Sequence, residues 1–252
     1  YGFDYLLASL FGAVTPFCTC SSIPLFIGFI GAGIPLGVTF AFLITSPLIN
    51  EIAVAMFIGL FGWRVTAMYV SAGLIIGMVG GYLISRLKLE RYVEGYIMRI
   101  DKKEKHESVQ KQKPFSVSVL QDALHESWSI TRKVAPYVLL GVGVGAVIHG
   151  YVPEGLFEKY VGEGNIFAVP LAVVLAVPLY ASAHSIFPVV DSLVTKGVPL
   201  GTALAFMMAT VGLSLPEALI LRRAIKMPLL LTFFGIVTVG IVLIGYIFNL
   251  VL

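Results

Sequence analysis

The sequence is poor in charged residues and in cysteine. Of its 252 residues only 12% are charged, whereas 58% are hydrophobic and the mean hydropathy is +0.95. A soluble domain carries about 25% charged residues, so this composition excludes a soluble globular protein. The apolar runs have the length of helices and lack the alternation of barrel strands. The composition therefore predicts an all-α, polytopic helical membrane protein.

Other absences exclude further classes of protein. The two cysteines, Cys18 and Cys20, form a single Cys-x-Cys, which cannot build a disulfide scaffold. The basic residues lack interleaved aromatics, which argues against nucleic-acid binding. His-x-x-x-His, a Ser/His/Asp triad at catalytic spacing and a phosphate-binding glycine loop are all missing. We therefore expect neither an enzyme, nor a resident cofactor, nor a resident metal.

The most informative stretch is Thr-Pro-Phe-Cys-Thr-Cys-Ser-Ser-Ile-Pro at 15–24, which interrupts an apolar region. Hydrocarbon tolerates irregular backbone only where protein or a water-filled cavity surrounds it. Polar groups at membrane depth are usually functional, so the stretch predicts a ligand site. The alternative is that two small cysteines simply line a helix crossing.

Short apolar runs follow, in a chain that has 26 glycines and 13 prolines. Residues 23–31 and 36–46 are too short to cross about 30 Å of hydrocarbon as helices, so they predict a re-entrant hairpin. Residues 48–61 predict the next helix, Gly62 a turn, and residues 65–85 a full span.

A lysine- and arginine-rich region separates two apolar halves. This excess of basic residues beside membrane segments predicts a cytoplasmic location. We expect a first transmembrane repeat at 1–87, a cytoplasmic charged linker at 88–127 and a second transmembrane repeat at 128–252. The location predicted for the whole chain is the inner (plasma) membrane, with several passes.

The two halves share a motif at an offset of 164 residues. Gly-Ile-Pro-Leu-Gly at 33–37 recurs as Gly-Val-Pro-Leu-Gly at 197–201, and Cys20 aligns with His184. The span at 65–85 runs toward the lysine- and arginine-rich linker. Its counterpart at 228–251 starts beside a second basic cluster, which consists of Arg222, Arg223 and Lys226. This charge pattern predicts inverted repeats with broken or re-entrant helices, a transporter architecture. The counterpart of a span at 134–150 would precede Tyr1, so we expect the first repeat to lack its first helix.

A second polar interruption is Tyr-Ala-Ser-Ala-His-Ser-Ile-Phe-Pro at 180–188. A substrate site is predicted where this interruption meets the one at 15–24. Thiols suit soft, thiophilic species, and a cysteine at a helix start can gain thiolate character. Serine hydroxyls or helix-start N–H groups could bind an anion. In the alternative, the histidine is a satisfied buried residue and the serines satisfy backbone carbonyls. The predicted substrate-binding residues are Cys18, Cys20, Ser21, Ser22, His184 and Ser185.

Three further polar residues interrupt apolar segments and are candidates for ion coupling: Asn50, Glu51 and Glu217. A carboxyl group at membrane depth is costly, so we expect a proton relay, a cation contact or a buried partner. The alternative for Glu51 is an interfacial position beside Arg64.

With these motifs the sequence resembles the predicted permeases of the YraQ/ArsP type. The resemblance is carried by residues 15–24, by Gly-Ile-Pro-Leu-Gly-Val-Thr-Phe at 33–40 and by Thr-Ser-Pro-Leu-Ile-Asn-Glu at 45–51. Thr19 departs from the Cys-Ser-Cys-Ser that is usual in the family. The resemblance implies an inner-membrane permease, typically with eight helices. Some members of the family export trivalent organoarsenicals.

We therefore expect a permease that moves a small solute, with a trivalent organoarsenical as one substrate class, through a site between the repeats. Its expected partners are a small-molecule substrate and the lipid bilayer; a homo-oligomer stays open. One alternative is a membrane thiol–disulfide electron carrier, although Ser182 and His184 stand where its partner cysteines would be needed. The other alternative is a soft-metal ion transporter or channel.

Overall fold

The structure is a computed structural model that describes residues 2–15, 19–93, 128, 132, 167–177, 179, 183–222 and 224–251, without the side chains of residues 19, 20, 183–185 and 216. These parts of the chain are helical, apart from an isolated antiparallel bridge between Val93 and Ile225. The all-α prediction is confirmed there. Most of the predicted linker, from residue 94 onward, lies outside the described residues.

The first half contains a helical hairpin of two short helices. After α1 (Gly2–Val14), the chain forms α2 (Thr19–Gly31) and α3 (Leu36–Leu48). Helices of 13 residues are about 20 Å long, shorter than the hydrocarbon layer, as the two short runs predicted. A glycine at positive φ makes the turn between them (Gly33, φ 80), and Pro35 precedes α3. Pro24 lies within α2, and the helix continues through it to Gly31.

Helix α4 (Glu51–Arg86) is two helical segments that meet at a kink. At the kink Gly62 has φ 79 and ψ 173, a conformation that a residue with a Cβ rarely adopts. The segments 51–61 and 63–86 agree with the predicted turn at Gly62. The predicted start at residue 48 was wrong, since α3 continues to Leu48 and α4 begins at Glu51. A short 3₁₀ helix (Leu89–Tyr92) follows.

The second half repeats these bounds. It contains α5 (Ala168–Ala176), α6 (Ala183–Thr195), α7 (Leu200–Gly212), α8 (Leu215–Leu221) and α9 (Met227–Val251). At the offset of 164 residues, α2 and α3 coincide at both ends with α6 and α7, and the two segments of α4 begin where α8 and α9 begin. The turn recurs as well, with Gly197 at φ 90 and Pro199 before α7. The sequence repeat is thus also a repeat of secondary structure.

Each half is held together by the same close helix crossing. A Cβ on Gly37 of α3 would lie 2.5 Å from the carbonyl oxygen of Gly81 on α4. In the second half, a Cβ on Gly201 of α7 would lie 2.5 Å from the carbonyl oxygen of Gly245 on α9. Small residues let helix backbones approach closely in membranes. The four glycines are therefore packing residues, and they too obey the offset.

The equivalent long segments, 63–86 of α4 and α9, lie side by side and run antiparallel. Ile76 of α4 packs on Gly240 of α9, and Gly80 of α4 packs on Ile236 of α9. The contact thus moves four residues forward along α4 and four residues back along α9. Beyond α4, the carbonyl of Tyr92 accepts a hydrogen bond from the N–H of Lys226 at 2.8 Å. Ile76 and Gly240 are themselves equivalent at the offset of 164. Equivalent residues of the two halves therefore meet at this contact.

Three stretches in the described part of the chain are long and apolar enough to cross a membrane: Glu51–Arg86, Leu200–Leu221 and Met227–Val251. They differ in burial. In their most apolar windows, 76% of the residues are buried inside the protein for Leu200–Leu221 but 28% for Met227–Val251. The segment formed by α7 and α8 is therefore interior, whereas α9 presents most of its surface outward.

Candidate functional site

The two hairpins meet at the ends of their second helices. Helix α3 ends at Leu48 and α7 ends at Gly212, and both residues are buried. A Cβ on Gly212 would lie 3.0 Å from Leu48 Cδ2. These residues are also equivalent at the offset of 164, so equivalent residues of the two halves meet here as well. Each half thus contributes a helix that stops in the interior, followed by a two-residue connection and a new helix.

Each half also packs onto the other half around these breaks. Helix α8 contacts α2, and segment 51–61 of α4 contacts α6, which is the equivalent pair. The second contact is aromatic, because the rings of Phe57 and Phe187 lie 5.0 Å apart between centroids and those of Phe61 and Phe187 6.1 Å. The helix that carries each predicted interruption therefore touches the helix that follows the central break of the opposite half.

The predicted thiol and imidazole residues occupy equivalent backbone positions. Cys20 is the second residue of α2 and His184 the second residue of α6. Ser185 follows on α6, and the side chains of all three lie outside the described residues, as does Cys18 entirely. Among the described side chains, no group of three or more His, Cys, Asp and Glu residues could hold a metal ion.

The predicted serines of α2 can be placed more fully. Ser22 is buried, and its hydroxyl lies 2.8 Å from that of Ser46 on α3. This hydrogen bond fastens the two helices of the hairpin together. Ser21 is half-buried and has interactions of its own. Ser22 therefore has a structural role within the hairpin, in addition to any contact with a ligand.

At the break of the first half, the polar groups are satisfied by the chain. Asn50 is the N-cap of α4, and its Oδ1 accepts a hydrogen bond from the N–H of Ile52 at 2.8 Å. The hydroxyl of Tyr69 donates to the carbonyl of Leu48 at 2.6 Å. Glu51 is exposed in the first turn of α4, where a negative charge suits the helix dipole. Asn50 and Glu51 thus have ordinary structural explanations.

At the break of the second half, two polar groups are buried without a hydrogen-bond partner in the part of the chain that the structure describes. Ser214 precedes α8, and its hydroxyl is buried without a hydrogen bond in the described part of the protein. The same holds for both carboxylate oxygens of Glu217, whose exposed fraction is 1%. The sequence Ser-Leu-Pro-Glu at 214–217 has the pattern of a capping box, in which serine and glutamate satisfy each other's backbone N–H groups. The structure forms neither bond.

Sequence reasoning identified Glu217 but missed Ser214 and Tyr69. The Ser-x-x-Glu spacing could have drawn attention to Ser214, although as a helix cap. Tyr69 gave no signal, because a tyrosine in an apolar span is unremarkable and its acceptor, Leu48, is 21 residues away.

The chain has relatives among known proteins. The ArsP_1 family, described as predicted permeases, matches residues 3–250. The chain belongs to this family. A UPF0718 protein of Methanocaldococcus jannaschii is 20% identical over 99% of this chain and 82% of its own length. YraQ, a UPF0718 protein of Escherichia coli K12, is 24% identical over 95% of this chain and 66% of its own length.

A third relative, from Streptococcus mutans, is named as a subunit of a two-component membrane permease complex. It is 24% identical over 91% of this chain and 74% of its own length. No solved structure matches the chain. Family membership and the apolar helices together make this ArsP_1 protein a membrane permease, a transporter rather than an enzyme.

Proposed function

We propose that the chain is built from two inverted repeats and moves a small solute through a site between them. The observation that carries this proposal is the antiparallel packing of two equivalent segments, 63–86 of α4 and α9, which meet at Ile76 and Gly240. If segment 63–86 of α4 and α9 both cross the bilayer, the axis that relates them lies in the membrane plane. Inverted repeats of broken helices place a transporter's site at the repeat interface.

The proposed boundaries between the repeats and the linker follow the lysine- and arginine-rich region. The proposed units are a first repeat at 1–87, a cytoplasmic linker at 88–127 and a second repeat at 128–252. The hydrogen bond from Lys226 to Tyr92 supports this arrangement, because it brings the start of the linker to the turn before α9. Both would then lie on the cytoplasmic side of the inner membrane.

The solute site is proposed where α2 and α6 bring their first turns to the opposite half. Its ligands would be Cys18, Cys20, Ser21 and Ser22 from the first repeat and His184 and Ser185 from the second. The support is the contact of α2 with α8 and of α6 with α4, which draws both helices to the central breaks. Thiolate ligands prefer soft, thiophilic species. Because some permeases of the YraQ/ArsP type, which the chain resembles, export trivalent organoarsenicals, this is the proposed substrate class.

Transport by everted membrane vesicles tests the substrate class. With phenylarsine oxide as the probe, vesicles that contain the protein are expected to accumulate arsenic, and the Cys18→Ser/Cys20→Ser double variant is expected to accumulate none above empty vesicles. Ser71→Ala serves as the control, because Ser71 is exposed on α4 and its hydroxyl bonds only locally, to the carbonyl of Met68. Full accumulation by the double variant would show that the thiols do not bind this solute.

The orientation of the repeats has a separate test. In a cysteine-free background, Arg64→Cys and Lys226→Cys place one thiol at the start of each equivalent long segment, and both residues are exposed. A membrane-impermeant maleimide is expected to label Arg64→Cys from outside and Lys226→Cys from the cytoplasmic side. Labelling of both from one side would exclude inverted repeats, while leaving the substrate question to the vesicle experiment.

The name of the Streptococcus mutans relative extends the proposal to a second membrane component. We propose that this chain also works with another protein subunit, of the same or of a different sequence. Purification in mild detergent with mass determination by light scattering would measure the assembly, and a mass of one chain plus detergent would contradict it.

A further inference from the structure

We propose that Glu217 is the group that carries a proton through the transport cycle. This inference rests on the proposed permease function and specifies how that site is coupled to an ion gradient. In each cycle the carboxylate of Glu217 binds one proton from one side of the membrane and releases the same proton to the other side. No other bond forms or breaks.

The first step of the argument is burial without a partner. Glu217 is 1% exposed, and neither of its carboxylate oxygens is hydrogen-bonded within the described part of the chain. An ionised carboxylate without a partner is too costly to bury in an apolar interior. The group must therefore hold a proton or a cation in this conformation. A protonated carboxyl needs only one acceptor, whereas a metal cation needs several oxygen ligands.

The second step is the capping box that is not made. A serine at the N-cap and a glutamate at the third helical position normally bond to each other's backbone N–H groups. Ser214 and Glu217 stand at these positions, yet the cap bond is absent and the hydroxyl of Ser214 is also unpartnered in the described structure. A residue that served as a helix cap would be bonded here. The first turn of α8 therefore has two buried polar side chains that do not cap the helix.

The third step is the lack of countercharge. Helix α8 packs on α2, whose sequence contains Cys20 as its one titratable residue. The N–H of Leu215 donates to the carbonyl of Val177 at 3.1 Å, and residues 167–177 contain no ionisable group, as is also true of α7. On α6 the titratable residues are His184 and the exposed Asp191, and beyond α8 Arg222 is exposed. The charged side chains that the structure describes in these elements, Asp191 and Arg222, are exposed, so neither of them neutralises the buried carboxyl of Glu217.

The fourth step is location. Because α8 contacts the helix that carries Cys20, Ser21 and Ser22, a change in the charge of Glu217 would be felt by the proposed solute site. Removal of a proton leaves a buried charge that must be solvated or paired, which favours a different arrangement of α8 against α2. Binding of the proton and the conformation of the site are thereby linked.

Infrared spectroscopy of the purified full chain tests the proton without any substrate. The wild type is expected to show a buried carboxylic-acid C=O band at neutral pH that Glu217→Gln lacks and Asp191→Asn retains. In Ser214→Ala the band should persist at the same frequency, because the hydroxyl of Ser214 is not bonded to the carboxyl of Glu217. A wild type without the band, or a band that survives in Glu217→Gln, would overturn the proposal. Thermal stabilisation by Na⁺ that Glu217→Gln abolishes would replace the proton with sodium.

Transport assays separate this proposal from the permease function. In proteoliposomes with phenylarsine oxide, exchange across the membrane reports solute transport, and accumulation against an imposed proton gradient reports coupling. Glu217→Gln is expected to lose gradient-driven accumulation, and its exchange rate should no longer vary with pH, whereas Asp191→Asn keeps both properties. Absence of exchange in the wild type would count against the proposed solute alone. Full gradient-driven accumulation by Glu217→Gln would overturn the proton site alone.

Discussion

The two central breaks occupy equivalent positions in their halves and have opposite polar content. After Leu48 the first half places a capping asparagine, and the carbonyl at the end of α3 accepts a hydrogen bond from Tyr69. At the equivalent positions the second half has Ser214, which caps nothing, and Phe233, which has no hydroxyl. It adds Glu217 where the first half has Ala53. In the first break, nearby residues satisfy the polar groups. In the second break, Ser214 and Glu217 have no hydrogen-bond partner in the described structure, as in a site that receives an ion.

The largest expected effect tests whether the halves share their scaffold. Gly37→Ala and Gly201→Ala are each expected to destabilise the protein severely, because the new Cβ would lie 2.5 Å from a backbone oxygen that cannot move away easily. Overpacking of a core typically costs about 1–3 kcal/mol, and we expect at least the upper end. Thermal unfolding in detergent would measure this. Gly28→Ala is the control, since nothing lies within 4 Å of its Cβ position; equal melting temperatures in all three variants would refute the shared crossing.

The next effect concerns the hydrogen bond that only the first half makes. Tyr69→Phe removes the donor to the Leu48 carbonyl and leaves a buried acceptor unbonded, which typically costs about 1–3 kcal/mol. The ring itself should stay in place against Phe57, at 4.5 Å between centroids. Phe234→Tyr offers a comparison on α9, where a partly buried ring gains a hydroxyl without losing this bond. A variant Tyr69→Phe as stable as the wild type in equilibrium unfolding would mean that the first break does not depend on it.

A smaller effect is expected at the helix cap. Asn50→Ala deprives the N–H of Ile52 of its acceptor and should lower the free energy of unfolding by about 1 kcal/mol. Asn50→Ser should cost less, because serine is a comparable cap. Chemical unfolding in mixed micelles would rank the three proteins. If alanine and serine at this position were equally destabilising, the cap would not be the reason for Asn50.

The smallest effect on stability is expected when the second break receives the residue of the first. Ser214→Asn supplies a side chain that can cap α8, and it should raise the free energy of unfolding by up to about 1 kcal/mol. Gradient-driven accumulation of phenylarsine oxide in proteoliposomes should fall, because the new cap holds the first turn of α8, which carries Glu217, in one arrangement. A variant that is both more stable and fully coupled would show that the open cap has no part in coupling.

Much of the fold could be predicted from the lengths of the apolar runs and from the positions of glycine and proline. The turn at 33–35, the kink at Gly62 and the repeat at an offset of 164 all depend on glycine and proline, which act locally and are visible in sequence. The start of α4 was misplaced by three residues because Pro47 stays within α3. Proline is only a weak boundary signal where neighbouring groups satisfy the freed backbone.

The candidate site was predictable in its residue types but not in their roles. Ser22 and Ser46 bond across the hairpin over 24 residues, and Asn50 proved to be a cap. Glu51 and Glu217 looked alike in sequence, as carboxyl groups in apolar surroundings, yet one is exposed and the other is buried. Which carboxyl is enclosed depends on the helices that pack around it, and no local pattern contains that information.

The sequence by itself determined that this is a helical membrane protein with two similar halves, interrupted helices and an ArsP_1-type cysteine motif, because composition, short-range backbone preferences and shared motifs are written along the chain. Only the tertiary structure decided that the halves pack antiparallel at Ile76 and Gly240, that the first break is satisfied and that the second keeps Glu217 and Ser214 unpartnered in the described structure. The reason is physical: whether a polar group is paired depends on atoms brought to it from distant parts of the chain.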